Sequence, residues 1–393
     1  MLADIRALAD DIGIRFVGSP ADAQAAKYLA GRFRDTGLEP MLVPFPVLGW
    51  SLKEEARLEI QAGAERWRVP CYPFVYSSSS PVAGFSGKLV YAGKQELFAS
   101  AKYRAFERGK FRFRKYSILD RNGMPAAQVV SRDFPDGALT AAWGMLPLPR
   151  TTPTVLVSEK DGRRLEALVA AGASATLHLS TEFHPDWLAT NVFAHLPGSD
   201  SRRADEQILV AAHFDTQYTG PGAVDNASGV AAVLSLARHL KAKQPRRSIL
   251  FAIYSGEEVG FVGARHHLAG LKETERLSSI RAVVNLDMLA CNEPNWIHAS
   301  EDFLAQESSR RAAADLGIAE KYGSLEIVTP PWPSGDQDPF YDENIPCVSF
   351  TWKGYKYPYT HTPQDTSDKV DAEVLLDSFH LACRVIEHMD QMM

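Results

Sequence analysis

From about residue 186 onward the sequence alternates short apolar runs with amphipathic helical stretches, and residues able to carry chemistry follow each run. The runs Ile208–Ala212, Ile249–Tyr254, Ala282–Leu286 and Cys347–Thr351 read as buried strands, continuous in apolar residues as parallel strands are. Asn226–Lys241 places Val230, Val233, Leu234, Ala237 and Leu240 on one helical face. Asp371–Met389 does the same with Leu375, Phe379, Ala382, Val385 and Ile386. This alternation predicts a three-layer α/β/α fold with a mixed, mostly parallel sheet covered by helices.

His213 and Asp215 follow the first run in AAHFDT, Glu257 and Glu258 the second in YSGEEVG, and Asp287 the third in NLDML. His361 follows the fourth, after a loop, in YTHTPQDT, and Asp225 stands at the start of the helix after the first strand. Open α/β sheets place ligand sites at the carboxyl ends of their strands, so the fold reading alone gathers these residues at one edge. Singly, each has an ordinary explanation. Asp225 suits a helix cap, His213 a core histidine bonded to backbone, Glu258 a solvated loop, Asp287 a turn and His361 a loop. Together, buried carboxylates repel one another and resist ionisation unless cations lie among them.

Two histidines and three carboxylates without cysteine suit two Zn²⁺ ions, with Mn²⁺ or Co²⁺ as substitutes. The expected division gives one ion His213 and Glu258, and the other Asp287 and His361. Asp225 then bridges ions about 3.5–4 Å apart. Water acidified there toward a pKa of about 7 becomes the nucleophile. Glu257 is left free as general base, and Asp215 is placed to hold the second ring nitrogen of His213.

HFD, AVDNASG, SGEEVG, NLDM and HTPQDT, in this order, resemble the motifs of the M28 family of co-catalytic zinc aminopeptidases and related carboxypeptidases. The resemblance is strongest over 186–393 and includes the entry segment Asn191–Gly198. The M20 metallopeptidases share the ligand order but leave a longer gap than the 12 residues from His213 to Asp225. Membership of M28 implies a zinc-peptidase fold and hydrolysis of peptide bonds, most simply with release of N-terminal residues. It implies His213 as a ligand, Asp215 as its orienting carboxylate, Asp225 as the bridge, Glu257 as the base and Glu258 as a ligand. Asp287 and His361 are implied as ligands of the second metal. Carboxypeptidase, non-peptide amide hydrolase and glutaminyl-cyclase-like acyltransferase are the alternatives on related folds.

Two positions depart from the family pattern. Thr360 stands where many members have tyrosine before the last histidine, so Tyr355, Tyr357 and Tyr359 are candidates to stabilise the tetrahedral intermediate. In SGDQDPF, Gln337 replaces the histidine of S-D-H-x-P-F. An aminopeptidase must also hold a free α-ammonium, for which Glu257, Asp287, Asp336 and Asp338 are candidates. Trp332 within Pro330–Pro333, Phe340 and Trp352 are expected to wall the pocket for the first side chain, with Tyr359 beside the substrate, while the Pro-rich run reads equally well as a rigid turn. Arg265 would serve a carboxypeptidase as its carboxylate anchor.

The organisation expected is residues 1–51 as a leading helix and extended segment, 52–185 as a β-rich insert, and 186–393 as the peptidase domain. Ser19 and Pro20 start the leading helix as cap and first residue. The insert resembles, more weakly, a protease-associated (PA) domain at SGKLVYAG and VAAGASATLHLST, and holds one helix between Glu159 and Gly172. Its stretch Lys102–Lys115 has seven basic residues and one acid, but the whole chain carries a net charge of −6, so it reads as a solvated face. Cys71, Cys291, Cys347 and Cys383 lie too far apart for a zinc ribbon and are too few for a disulfide scaffold. They read as free thiols, and with no signal peptide the expected location is the cytoplasm, or outside the cell if the chain is a mature form. The expected partner is a peptide or amino-acyl amide, with no nucleic acid and no membrane, the chain being a monomer or homodimer.

Overall fold

The computed structural model describes residues 1–96, 112–132, 147–291, 294, 296–329, 335–350 and 357–393. Expectations placed on residues 102–111, on Pro330–Ser334 with Trp332, and on Thr351, Trp352 and Tyr355 lie outside the described residues. Two compact units divide the chain: Met1–Val47 with Trp187–Met393, and Leu48–Asp186.

The first unit opens with α1 (Leu2–Arg6), which runs into a π-helical turn at Ala7–Ile12. Next comes α2 (Pro20–Asp35), started as the sequence predicts: the Ser19 hydroxyl accepts the Asp22 N–H and Pro20 takes the first position. Leu29 and Phe33 are fully buried on its inner face, and β1 (Pro40–Pro46) follows.

The second unit contains β2 (Gly49–Ala62), β3 (Glu65–Val69), β4 (Tyr72–Pro73), β5 (Phe85–Glu96), β6 (Arg112–Leu119), β7 (Pro125–Arg132), β8 (Thr154–Val157), helix α3 (Glu159–Ala170) and β9 (Ser174–His184). They form one sheet in the order β3-β2-β9-β5-β6-β7-β8-β4, and its pairings are antiparallel except β7 with β8. Leu58, Ile60, Leu89, Tyr116, Val129, Val155, Leu165 and Leu177 fill its core. Arg114, from the basic stretch, is largely buried within ion-pair reach of Glu159 and Glu166 (3.9 and 3.4 Å).

The first unit resumes with β10 (Leu188–Leu196), β11 (Gln207–His213), α4 (Ser228–Lys243), β12 (Ser248–Tyr254), α5 (Val262–Glu273), β13 (Ile280–Leu286), β14 (Trp296–Ala299) and α6 (Phe303–Asp315). It ends with α7 (Ile318–Tyr322), β15 (Glu326–Val328), α8 (Asp338–Tyr341), β16 (Cys347–Phe350) and α9 (Ala372–Met392). The strand order is β1-β10-β12-β11-β13-β16-β14-β15. The four strands read from the sequence are the central ones, β12, β11, β13 and β16, and each pairs in parallel with the next. β1, β10 and β12 pair antiparallel, as do β16 and β14. The class is α/β with a mixed sheet, as the alternation predicts.

Burial on both faces explains the continuous apolar runs: Ile208, Leu209, Val210, Ala211 and Ala212 are all fully buried. On one side Leu209, Ala211, Ala252 and Val283 pack with Phe261, Ala264, Leu271 and Phe340. α2, α4 and α9 cover the other side. Asp390 of α9 fixes the entry to β12. Its carboxylate accepts the N–H groups of Arg246 (2.7 Å) and Arg247 (3.0 Å), and the buried Arg247 guanidinium donates to the Asp390 carbonyl (2.8 Å) and to Glu206 (2.6 Å). Among the described residues no helix is long and apolar enough to cross a membrane.

Removing one partner of a buried charge pair costs more than the pair contributes, because the remaining charge loses its compensation. Asp390→Ala is therefore expected to cost about 3 kcal/mol in chemical denaturation. A loss below about 1 kcal/mol would show that Glu206 alone satisfies Arg247.

Candidate metal centre

The central strands deliver their polar residues at their carboxyl ends. His213 is the last residue of β11 and Asp287 directly follows β13. After β12 the chain turns at Gly256, with φ +84°, into Glu257 and Glu258. A Cβ at Gly256 would lie 2.3 Å from the Val262 side chain, so both the conformation and the space call for glycine. Asp225 sits in the π-helical turn Ala223–Ala227 leading into α4. His361 takes a left-handed conformation, φ +55°, and its carbonyl accepts the Thr219 hydroxyl at 2.9 Å.

Two buried trios result. His213 Nε2 lies 3.5 Å from Asp225 Oδ1 and 3.4 Å from Asp287 Oδ1. His361 Nε2 lies 3.2 Å from Asp225 Oδ2 and 3.0 Å from Glu258 Oε2. Within each trio, one donor atom per residue lies within 4.8 Å of the others, close enough to share a metal ion. Asp225 gives one oxygen to each. This corrects the division expected from the sequence: His213 groups with Asp287, and Glu258 with His361. Asp287 stays beside His213 because it directly follows a neighbouring strand. Glu258 stands four residues beyond the end of β12, and its turn carries it to the His361 side. His213 Nε2, Asp287 Oδ1 and Glu258 Oε1 are buried without a hydrogen-bond partner among the described residues, which fits donors meant for cations.

Asp215 holds this arrangement from behind. Its carboxylate accepts the N–H groups of Glu257 (3.0 Å) and Glu258 (3.3 Å) and lies 3.5 Å from His213 Nδ1. The nearer partner of Nδ1 is the Asp215 carbonyl, at 3.2 Å. Asp215 thus orients the glutamate turn as well as the imidazole. Gln217 donates to the backbone and carboxylate oxygens of Glu258, both at 3.1 Å. Asp365, within the quoted HTPQDT but not singled out there, accepts the N–H groups of Val224 (2.9 Å) and Asp225 (3.0 Å).

The other expected residues divide. Asp336 is buried, with both oxygens unpaired among the described residues, and its charge acts on Glu257 and is felt with those of His213, Asp215 and Asp287. Asp338 instead acts on Tyr341 and Cys347 beside α8. Phe340 is fully buried among Leu209, Ala211 and Val283, so it belongs to the core and not to a substrate wall. Tyr357 donates to Asp365 at 2.7 Å, which commits its hydroxyl to support of the Asp225 turn. Tyr359 is half-buried, edge-on to Tyr357. Gln337 accepts the Asn285 amide at 2.8 Å and so ties the α8 loop to β13. Arg265 is exposed and donates to the Gly260 carbonyl at 3.0 Å.

Burial opposes every charge here. It pushes the carboxyls of Glu257 and Asp336 well above the usual range and raises Glu258 and Asp287 less far, with carboxylate neighbours adding to each. Asp225 overcomes the same burial because His213 and His361 flank it, and it is held below the usual range. For the histidines burial acts downward. Glu257, Asp215, Asp225 and Asp287 outweigh it at His213, and Glu258 and Asp225 lift His361 to about 9.

A mixed α/β sheet thus carries at its carboxyl edge two candidate metal-binding trios that share one aspartate, an arrangement suited to a hydrolase. Residues 191–386 match the model of peptidase family M28, and they place the chain in that family. Aminopeptidase YwaD of Bacillus subtilis is 32% identical over 181 residues, covering 43% of this chain and 38% of that protein. Leucine aminopeptidase 2 of Trichophyton rubrum is 29% identical over 215 residues, covering 54% and 41%. The chain thus spans about two fifths of the length of these curated relatives. Two solved structures share the fold over nearly the whole chain. A peptidase M28 precursor from Shewanella amazonensis has a TM-score of 0.78 at 20% identity, covering 99% of this chain and 92% of that one. A zinc aminopeptidase from Bacillus subtilis has 0.69 at 20% identity, covering 98% and 93%.

Raised values have one sign for stability. Carboxyls and imidazoles that bind protons more tightly when folded contribute stability that falls as pH rises. For His361 the loss runs from its unfolded value of about 6.5 to its folded value of about 9. Chelator-treated protein is therefore expected to melt progressively lower from pH 6.5 to pH 9 in a thermal scan. A melting temperature that rises across that interval would contradict this electrostatic account.

Proposed function

We propose that the chain is a co-catalytic two-zinc aminopeptidase. The observation carrying this reading is that Asp225 offers one carboxylate oxygen to each of two buried trios. His213, Asp225 and Asp287 would hold one ion, and Asp225, Glu258 and His361 the other. Imidazole and carboxylate donors without cysteine suit hydrolytic zinc, with Mn²⁺ or Co²⁺ as substitutes. The Bacillus subtilis neighbour of the same fold is titled a zinc aminopeptidase, and the curated relatives are named aminopeptidases. Bound in these trios, zinc supplies Lewis acidity that polarises a scissile carbonyl and acidifies water.

The remaining chemistry falls to the chain's own side chains. Glu257 belongs to neither trio, yet its carboxylate lies 3.9 Å from His213 Nε2. Burial raises its proton affinity, which suits a group that takes a proton from the attacking water and returns it to the leaving amine. Asp215 and Gln217 keep Glu257 and Glu258 in place through the bonds described above. Asp336 carries buried oxygens that are unpaired among the described residues, beside this machinery, and a substrate α-ammonium would complete them with a charge-assisted hydrogen bond. That demand for a free amine makes the enzyme an exopeptidase acting at N-termini.

Metal content per chain and hydrolysis of free against N-acetylated leucyl amide test the reading together. Two zinc ions and cleavage of the free-amine substrate alone are expected. Equal cleavage of both amides would remove α-ammonium recognition, and uptake of fewer than two ions would remove the shared-aspartate site. Glu257→Gln is expected to keep both metals and the melting temperature while kcat falls about 10²- to 10⁴-fold. Near-full turnover in that variant would exclude Glu257 as the base.

A further inference from the structure

Arg15 stands outside every ligand motif, between the π-helical turn and α2, yet its guanidinium is fully buried behind the metal centre. All of its side-chain hydrogen bonds go to backbone carbonyls. Nε donates to Phe214 (2.8 Å), Nη1 to Leu8 (2.8 Å), Gly13 (2.7 Å) and Pro221 (2.7 Å), and Nη2 to Gly222 (3.2 Å). Its backbone closes the same joint. The Arg15 N–H donates to the Thr216 hydroxyl (2.9 Å), and its carbonyl accepts the Thr216 N–H (3.2 Å).

The acceptors belong to the two loops that matter most. Phe214 lies between His213 and Asp215. Pro221 and Gly222 lead into the turn that presents Asp225, and Gly222 has φ +59° with no room for a Cβ, which would lie 2.2 Å from the Asp225 carbonyl. One planar fork therefore spans both loops and links them to Leu8 and Gly13 of the leading segment. A second tie from that segment reaches the third loop: the Ser255 hydroxyl donates to Asp22 of α2, two residues before Glu257.

A buried cation is costly, and an apolar side chain would fill the space at lower cost. Burial lowers the Arg15 pKa to about 10, and the charges of Asp215, Asp365, Asp22 and Asp225 act in the opposite direction. Three of those four carboxylates, Asp215, Asp225 and Asp365, belong to the candidate centre or hold its loops in place. The arrangement thus spends a buried charge where carboxylates crowd and where loop spacing sets donor geometry.

We infer that Arg15 is a positioning residue of the metal centre, fixing the spacing of the His213 and Asp225 loops and placing a permanent positive charge behind their carboxylates. The leading segment is on this account a working part of the site. The inference rests on the two-ion reading. It also requires coupling in both directions, since whatever the segment does for zinc affinity, zinc must do for the segment.

The test is zinc affinity of the metal-free full chain, measured by competition with a chromogenic chelator for wild type, Arg15→Met and Arg15→Lys. Circular dichroism and the melting temperature without metal serve as controls. Arg15→Met is expected to weaken zinc binding at least tenfold. Arg15→Lys keeps the charge but lacks the fork, and is expected to recover part of that loss. In wild type, zinc is expected to slow amide hydrogen exchange in Leu8–Arg15 more than in α6, a readout that stands even if a variant does not fold. Unchanged zinc affinity in a folded Arg15→Met, or exchange in Leu8–Arg15 indifferent to zinc, would overturn the inference. A wild type that takes up no zinc would overturn the two-ion reading itself.

Discussion

Mutual repulsion among carboxylates buried at one sheet edge is the constraint around which this unit is built. Asp215, Asp225, Glu257, Glu258, Asp287, Asp336 and Asp365 are all buried there, and each must be answered by something. Backbone amides answer Asp215 and Asp365, and imidazoles answer Asp225. Among the described residues Asp336 is left with open oxygens, and Glu258 and Asp287 each with one, at the place where cations and a charged substrate would complete them. The unit tolerates this local cost because the centre of the sheet is an apolar core, with three neighbouring parallel strands buried on both faces.

Position at that edge follows from topology more than from local conformation. Parallel strands all end on the same side, so β11, β12 and β13 need no long excursions to bring His213, the Glu257–Glu258 turn and Asp287 together. What topology leaves loose, buried polar groups fix. Asp215 pins the glutamate turn, Asp365 pins the Asp225 turn, and Arg15 joins the His213 and Asp225 loops. Each does so by bonding backbone, which sets loop position without engaging the side-chain donor atoms of the two trios.

Much of this was legible in the sequence, and the misses have physical causes. The central strands are readable because double burial demands unbroken apolar runs, and the convergence of His213, Asp225, Glu258, Asp287 and His361 because such strands bring the residues that follow them to one edge. β14 and β15, four and three residues long, carry too little pattern to read. The grouping of donors was misread because the sequence places a residue on a strand end without showing how far its turn travels, as Glu258 illustrates. Phe340 was misplaced because an apolar side chain beside a site looks the same whether it lines a pocket or fills the core. Arg15 and Asp365 carry little signal because the loops they fix are held through backbone groups, which every residue has and which leave no signature in side-chain type.

The most direct measurement of the central claim is anomalous diffraction at the zinc edge from crystals of the full chain grown with Zn²⁺. The account predicts two peaks about 3.5–4 Å apart, on opposite oxygens of Asp225. One should be bounded by His213 and Asp287, and the other by Glu258 and His361. A single peak, or a pair that joins His213 to Glu258, would contradict it.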